Sequence, residues 1–231
     1  MDYTSYITAL TTEMVVQPDD VSFNAILPDI IDYAEQRIYR ELDLLSTVTR
    51  DATAAFTTLT RSFTFPQHFV TTQQINVITP AGQPPASGTR VSLTPVSKEY
   101  LDYVWPSLAG ASVPKSFAML TDQTIIVGPW PDATYTVEVV GTTRPAPLGT
   151  GNPQTFLTLY LPDLFLAASM VFASGYMRNF GSQADDPRMS ASWEDQYGKL
   201  LASANVEEMR KKFNGPGWAS MSPTPLASPR T

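Results

Sequence analysis

The segment LPDIIDYAEQRIYREL, residues 27–42, carries the pattern on which the fold prediction depends. Its apolar residues recur at three- and four-residue spacing, as on the buried stripe of an amphipathic helix. The stripe extends back to Phe23, and Asp19 and Asp20 offer carboxylates that can cap the helix N-terminus. Pro28 is expected to start the main portion of this helix or to kink it. The opposite face is interpreted as solvent-exposed and carries Asp29, Asp32, Glu35, Arg37, Arg40 and Glu41.

Three further helices are predicted outward from this one. Residues 3–14 have apolar side chains at helical spacing, and a helix starting at Pro162 and running to about residue 180 is apolar nearly all round. That helix is expected to be the most buried. Asp186 and Pro187 look like the cap and first residue of a long helix that stops at Asn214 and Gly215. One side of the long helix is predicted to carry Trp193, Tyr197, Leu200, Leu201, Ala204 and Met209. Near its end, Glu207 and Glu208 precede Lys211 and Lys212 by four residues.

Between the helices, residues 46–147 consist of short β-branched and aromatic runs divided by Pro, Gly and Asp. Alternation of polar and apolar residues, as around Phe63 and Phe65, predicts half-buried antiparallel strands. Residues 121–123 are expected to turn a hairpin, and residues 80–89 to form an exposed loop between strands. Ser97 can cap a short helix.

We therefore predict an α+β fold in which a four-helix bundle is interrupted by an antiparallel β-sandwich-like insertion. Residues 1–45 form the N-terminal portion of the bundle, residues 46–147 the β insertion, residues 148–214 the C-terminal portion of the bundle and residues 215–231 an extended C-terminal tail. The tail is rich in Pro and Ser and cannot fold alone. Within it, Trp218 has no periodic apolar partners, a pattern typical of a segment that orders on a partner.

Composition excludes several classes of function. The chain has no Cys and a single histidine, His68, which removes thiolate chemistry, zinc-thiolate sites and most histidine-based catalytic sets. A net charge of -7 argues against general nucleic-acid binding. No apolar run reaches the roughly 18 residues of a membrane span. We expect no enzyme activity, no metal, no cofactor and no membrane partner.

The remaining chemical motifs have simpler structural interpretations. The glycine-rich stretch at residues 149–152 is followed by Pro153 and lacks the Lys-Ser/Thr end of a phosphate loop. The pairs Asp19-Asp20 and Asp185-Asp186 precede helices, where capping explains them without catalysis. His68 is interpreted as a packed or hydrogen-bonded turn histidine. Sugar stacking would need exposed tryptophans, but Trp105, Trp130 and Trp193 lie where packing is the simpler account.

Four stretches together resemble the head-to-tail adaptor, or connector, proteins of short-tailed phages, the family that includes tail tubular protein A. They are residues 27–42, 63–70, 113–119 with 128–135, and 161–172 with 193–197. The resemblance covers about residues 20–213. One departure is Phe117, where the family has a Tyr after its Pro-x-x motif.

The resemblance implies a virion structural protein assembled in the host cytoplasm. It implies a closed ring, a dodecamer of about twelve subunits, beneath the portal protein. The ring would extend the DNA ejection channel and dock the tail nozzle or tail tube, and DNA would pass without specific binding. An acidic or neutral channel wall is expected from the negative charge. Another virion tail component, or a carbohydrate-binding β module, remains the alternative.

Two sets of contact residues are predicted. The portal-binding set is Phe213, Gly215, Trp218, Met221, Leu226 and Arg230. The ring-interface set is Arg37, Arg40, Glu41, Glu194, Lys199, Glu207 and Arg210.

Overall fold

The computed structural model describes residues 1–17, 19–177 and 187–212. These residues form a mixed α+β fold with six helices and two sheets, which confirms the predicted class. They divide into two compact units. The helical unit combines Met1–Ser46 with the described residues from Pro145 onward, and the β unit is Thr47–Arg144. The finer description of the helices as a four-helix bundle stays a prediction.

The helices are α1 (Tyr3–Glu13), α2 (Val21–Glu41), α3 (Lys98–Val104), α4 (Phe156–Tyr160), α5 (Pro162–Met177) and α6 (Pro187–Lys211). The strands are β1 (Val48–Asp51), β2 (Ala55–Phe56), β3 (Ser62–Thr64), β4 (Thr71–Thr79), β5 (Thr89–Ser92), β6 (Thr94–Pro95), β7 (Ser116–Met119), β8 (Thr124–Gly128) and β9 (Tyr135–Thr142). A 3-10 turn, Leu45–Thr47, precedes β1. None of the helices in the described ranges is both long and apolar enough to cross a membrane.

Helix α2 begins earlier than Pro28. The Asp20 carboxylate accepts the backbone N–H groups of Ser22 (2.9 Å) and Phe23 (3.0 Å), which confirms the predicted cap. Because those N–H groups are already satisfied, the helix starts at Val21 and continues through Pro28. Pro28 is therefore not the start of the helix. Of the predicted apolar stripe, Ile26 is half-buried and the other members are buried, namely Phe23, Leu27, Ile30, Ile31, Ala34, Ile38 and Leu42.

Helix α5 is the centre of the helical unit and packs against α1, α2, α4 and α6. It begins at Pro162, as predicted. The Tyr6 ring stacks on Phe165 at 4.5 Å, and the Tyr6 hydroxyl donates to the Phe165 carbonyl or shares a hydrogen bond with Ser169. The predicted end of this helix near residue 180, the Asp186 cap and the stop at Asn214-Gly215 lie outside the described residues. Helix α4, held by a capping box between Thr155 and Thr158, was not predicted.

The β unit contains one sheet in the order β1-β9-β4-β5, with β2 also paired to β9, and a second in the order β3-β8-β7-β6. The predicted hairpin joins β7 to β8, and residues 80–89 link β4 to β5, as expected. Not every pair is antiparallel, because β6 and β7 run parallel. The connection between these two strands contains α3, capped by Ser97, and a crossover of that kind returns the chain in the same direction.

Candidate interaction surfaces

Helices α2 and α6 are joined by a polar network. The Arg37 guanidinium donates to both carboxylate oxygens of Glu194, at 2.8 and 2.5 Å, and to Glu41 at 3.2 Å. It also lies 4.1 Å from the centre of the Tyr197 ring, and the Tyr197 hydroxyl donates to Glu41 at 2.6 Å. Arg37 and Glu41 are one turn apart on α2, whereas Glu194 and Tyr197 are one turn apart on α6. The four side chains therefore meet across the helix contact.

The electrostatics of this network favour the charged forms of its ion pair. Hydrogen bonds from Arg37 hold the pKa of the Glu194 carboxyl below its ordinary value, and the same bonds raise the pKa of Arg37. Burial is the main cause of the raised pKa of Tyr197, so its hydroxyl stays protonated and serves as a donor. Arg37 of the predicted ring-interface set thus pairs with two other members of that set, Glu41 and Glu194, within a single chain.

The other members of that set lie along the exposed sides of α2 and α6. Arg40 donates to the Gln36 carbonyl at 3.1 Å, Lys199 pairs with Asp195 at 2.6 Å and Glu207 pairs with Lys211 at 2.7 Å. Arg210 is exposed in the last turn of α6. Their role in a ring interface stays a prediction.

The outer face of α6 differs from the prediction at Met209. This side chain is 47% exposed, as is Val206, whereas Tyr197, Ala204 and Glu208 are buried. The buried positions follow a step of three or four residues that reaches 208, so residue 209 is turned about 100° away. We define the outer α6 face as the exposed residues Lys199, Ala202, Ser203, Val206, Met209 and Arg210.

Glu208, and not the predicted Met209, lies on the buried side of α6. It accepts the Leu45 backbone N–H at 3.0 Å and the Lys211 ammonium at 2.7 Å. The predicted Glu207–Lys211 pair is confirmed. Lys212, four residues after Glu208, instead binds the Asp43 carbonyl and carboxylate.

A cleft lies beside Glu208 at the end of α6. Its volume is about 520 Å³, and Lys211 in its wall lies 5.2 Å from the centre of the Phe156 ring. Glu207 and Glu208 raise the pKa of Lys211, which stays charged. We call this the C-terminal cleft; it is lined by Leu45, Ser46, Phe156, Tyr160, Glu207, Glu208 and Lys211.

Glu35 is the clearest error in the predicted solvent face of α2, because its side chain is only 2% exposed. One carboxylate oxygen accepts the Leu148 N–H at 3.1 Å, while the other, like the Tyr39 hydroxyl, is buried with no hydrogen-bond partner among the described residues. Burial raises the pKa of Glu35 to about 7. The sequence did contain a signal for this burial. Glu35 comes four residues after Ile31 and three before Ile38, so it falls on the same apolar stripe of the helix.

In the β unit the carboxylate of Glu138 is buried and accepts Arg90 at 3.0 Å and the Asn76 amide at 3.1 Å. These bonds hold the pKa of Glu138 below its ordinary value, Arg90 being the largest cause. Such an arrangement supports the sheet, since β4, β5 and β9 each supply one partner. Among the described residues, no group of three or more His, Cys, Asp or Glu is placed to hold a metal ion.

The single histidine and three of the tryptophans can now be assigned, His68, Trp105 and Trp130 to the β unit and Trp193 to the helical unit. His68 is exposed and not packed; it borders a cleft of about 710 Å³ with Asp122 and Arg144. Trp105 packs on Leu101, Ala118 and Ile126, and the Trp130 indole donates to the Trp105 carbonyl at 3.3 Å. Trp193 packs against the core of the helical unit. Packing therefore accounts for Trp105 and Trp193, as predicted.

The predicted portal-binding set lies outside the described residues. Its members are Phe213, Gly215, Trp218, Met221, Leu226 and Arg230.

Comparison with known proteins gives one result of wide coverage. The family model described as "SU10 adaptor protein" matches residues 1–219, which span both the helical unit and the β unit. No curated protein matches the chain.

Proposed function

The chain belongs to the SU10 adaptor protein family, and on this premise we propose that it is the head-to-tail adaptor of a tailed phage. In this proposal it forms a closed ring, a dodecamer, beneath the portal protein. The ring extends the DNA channel and presents a lower face to the tail nozzle or tail tube. The family is one of structural phage proteins, so the site of action is the virion and no catalytic step is required.

The observation that carries the proposal is the extent of the family match. Residues 1–219 include α1 and α2, the whole β unit, and α4 to α6. A match to an isolated sandwich would equally support a carbohydrate-binding module. A match that runs through the helices on both sides of the β unit supports an adaptor.

The outer α6 face is our proposed ring interface. Closed rings need two different surfaces that complement each other on neighbouring subunits. Val206 and Met209 are large apolar side chains left about half exposed, and Ala202 and Ser203 are small enough for another element to approach the helix closely. Lys199, Glu207 and Arg210 would supply charged contacts around this patch.

The polar network between α2 and α6 has a supporting role in this scheme. Arg37 already donates to both Glu41 and Glu194 within the chain, so the proposed contribution of these residues is to hold α6 at a set position on α2. Arg40, exposed on α2, remains a proposed contact to the neighbour.

The tail and the channel complete the proposal. Residues from Gly215 onward, with Trp218 as their largest apolar side chain, would lie against portal subunits. With a net charge of -7 per chain, an acidic or neutral channel wall would let DNA slide without specific binding.

The test is electron microscopy of the chain mixed with the portal protein of the same phage. We expect closed rings on the portal, and we expect Met209→Asp to abolish them while the far-ultraviolet circular dichroism melt is unchanged. The matched control is Ala86→Asp, which adds the same charge at an exposed position of the β unit. Rings that persist in Met209→Asp would exclude the outer α6 face as the ring interface, and absence of any ring with the native chain would overturn the proposal.

A truncated chain tests the tail contact. A chain ending at Asn214 that still binds the portal normally would exclude that contact.

A further inference from the structure

The C-terminal cleft has apolar walls that are open to solvent. Tyr160 is 64% exposed and Leu45 is 45% exposed, and the rings of Phe156 and Tyr160 are 4.9 Å apart. Large apolar side chains left uncovered around a concave site mark a place where another segment binds. The polar side chains that line the cleft are Ser46, Glu207, Glu208 and Lys211, and of these Ser46 and Glu207 can accept a hydrogen bond from an entering segment.

The part of the chain that can reach the cleft most easily is the segment that follows α6. Lys211 both lines the cleft and is the last residue of α6, so the chain after residue 212 continues from the cleft itself. Residues 213–226 contain no charged side chain but include Phe213, Trp218, Met221 and Leu226. Such a segment can enter the cleft without bringing a charge of its own out of water.

We propose that residues 213–226 occupy the C-terminal cleft of their own chain before assembly, with the Trp218 indole as the anchor. Trp218 is seven residues beyond Lys211 and can reach up to roughly 25 Å from it, at about 3.5 Å per residue. A short tether holds the segment at an effective concentration in the millimolar range, so weak contacts are enough. The indole would pack on Phe156 and Tyr160 and donate its N–H to Glu207 or Ser46.

Docking of the tail in the cleft would also regulate portal binding, a consequence that rests on the proposed function. If the tail binds the portal, the cleft and the portal compete for the same residues, and Trp218 is released only where portal subunits are present. Premature contacts of the tail with other free chains are then suppressed. The docking itself does not depend on this role.

Disulfide formation between introduced cysteines tests the docking, because the native full-length chain contains no Cys. Ser46→Cys lines the cleft, and Ala219→Cys follows the anchor directly. In the full chain carrying both changes, we expect a disulfide within one chain whose rate is independent of protein concentration. The rate should be at least about tenfold above that of the control pair Ala86→Cys with Ala219→Cys. Adding Trp218→Ala or Tyr160→Ala should lower it about tenfold, while the control change Tyr103→Ala, at an exposed tyrosine of the β unit, leaves it unchanged.

Two results would overturn the inference. One is a rate equal to that of the control pair, with melting curves showing that all variants are folded. The other is a disulfide that forms only between chains and rises with concentration, which would mean that a second copy supplies the segment. Portal binding is measured on the native chain, so a chain that binds the portal without forming the disulfide refutes the docking alone. A chain that forms the disulfide but never assembles with the portal refutes the proposed function alone.

Discussion

Arg37 on α2 and Glu194 on α6 form a two-pronged ion pair, with nitrogen–oxygen distances of 2.8 and 2.5 Å, although they are 157 positions apart in the sequence. The pair closes the helical unit between a helix that precedes the β unit and one that follows it. Because the guanidinium also lies over the Tyr197 ring, Arg37 makes charged and apolar contacts at once.

Replacing Arg37 by Ala is expected to lower the free energy of unfolding by about 1–3 kcal/mol, since the ion pair, the ring contact and the bond to Glu41 are all lost. Urea denaturation followed by circular dichroism measures this change. Lys199→Ala is the control, because its pair with Asp195 is exposed on both sides and its loss should cost less than about 0.5 kcal/mol. Equal losses in the two variants would show that Arg37 adds nothing beyond a surface pair.

Glu35 is expected to make stability depend on pH. Its pKa in the folded chain is about 7, above the ordinary value of 4.5, so the folded state favours the protonated carboxyl. That contribution is fully present below pH 4.5 and is lost as the pH rises through 7. Between about pH 5 and pH 8, we expect the native chain to lose about 1–3 kcal/mol more than Glu35→Gln, which keeps an acceptor for the Leu148 N–H.

The measurement for Glu35 is the unfolding free energy across that pH range. Asp29→Asn on the same helix removes an exposed carboxylate and should leave the native pH profile unchanged. A Glu35→Gln profile that parallels the native one would contradict the prediction.

Gly141 on β9 is expected to tolerate no side chain. A Cβ atom there would lie 2.3 Å from the Thr71 carbonyl oxygen and 2.8 Å from a carbon of the Phe69 ring. Gly141→Ala should therefore cost about 2 kcal/mol or more by thermal unfolding, because strand β4 must shift to make room. Gly149→Ala is the control and should be tolerated, because in the part of the chain that the structure describes nothing beyond the two adjacent residues lies within 4 Å of the new atom. The steric account fails if both variants melt together.

At Gly198 in α6, replacement by alanine is expected to stabilise the fold, in contrast to Gly141. Among the described residues, no atom outside the helix's own backbone and the two adjacent residues lies within 4 Å of the Cβ position, and alanine favours helix over glycine by roughly 0.8–1 kcal/mol. Gly198→Ala should raise the free energy of unfolding of the isolated chain by about that amount in urea denaturation. A loss of stability would be inconsistent with the open space around this residue. A gain accompanied by loss of rings would instead place Gly198 against a neighbouring subunit.

Local pattern was a good guide to the elements and a poor guide to individual polar residues. The Asp20 cap, the Pro162 start and the β7–β8 hairpin were predictable because each depends on residues within a few positions of one another. Glu35 was wrongly assigned to solvent and the burial of Glu208 was not predicted, because a charged residue is exposed by default. Both are buried and accept backbone N–H groups far along the chain, from Leu148 and Leu45.

The amino-acid sequence by itself determined the α+β class, the phase of the α2 stripe and the absence of thiol chemistry, since these follow from composition and short-range periodicity. Only the tertiary structure decided that Arg37 pairs with Glu194, that Met209 faces outward and that a cleft opens at the end of α6. The physical reason is that these features depend on which helices pack together, and contacts between residues more than 100 positions apart leave no periodic trace in one sequence.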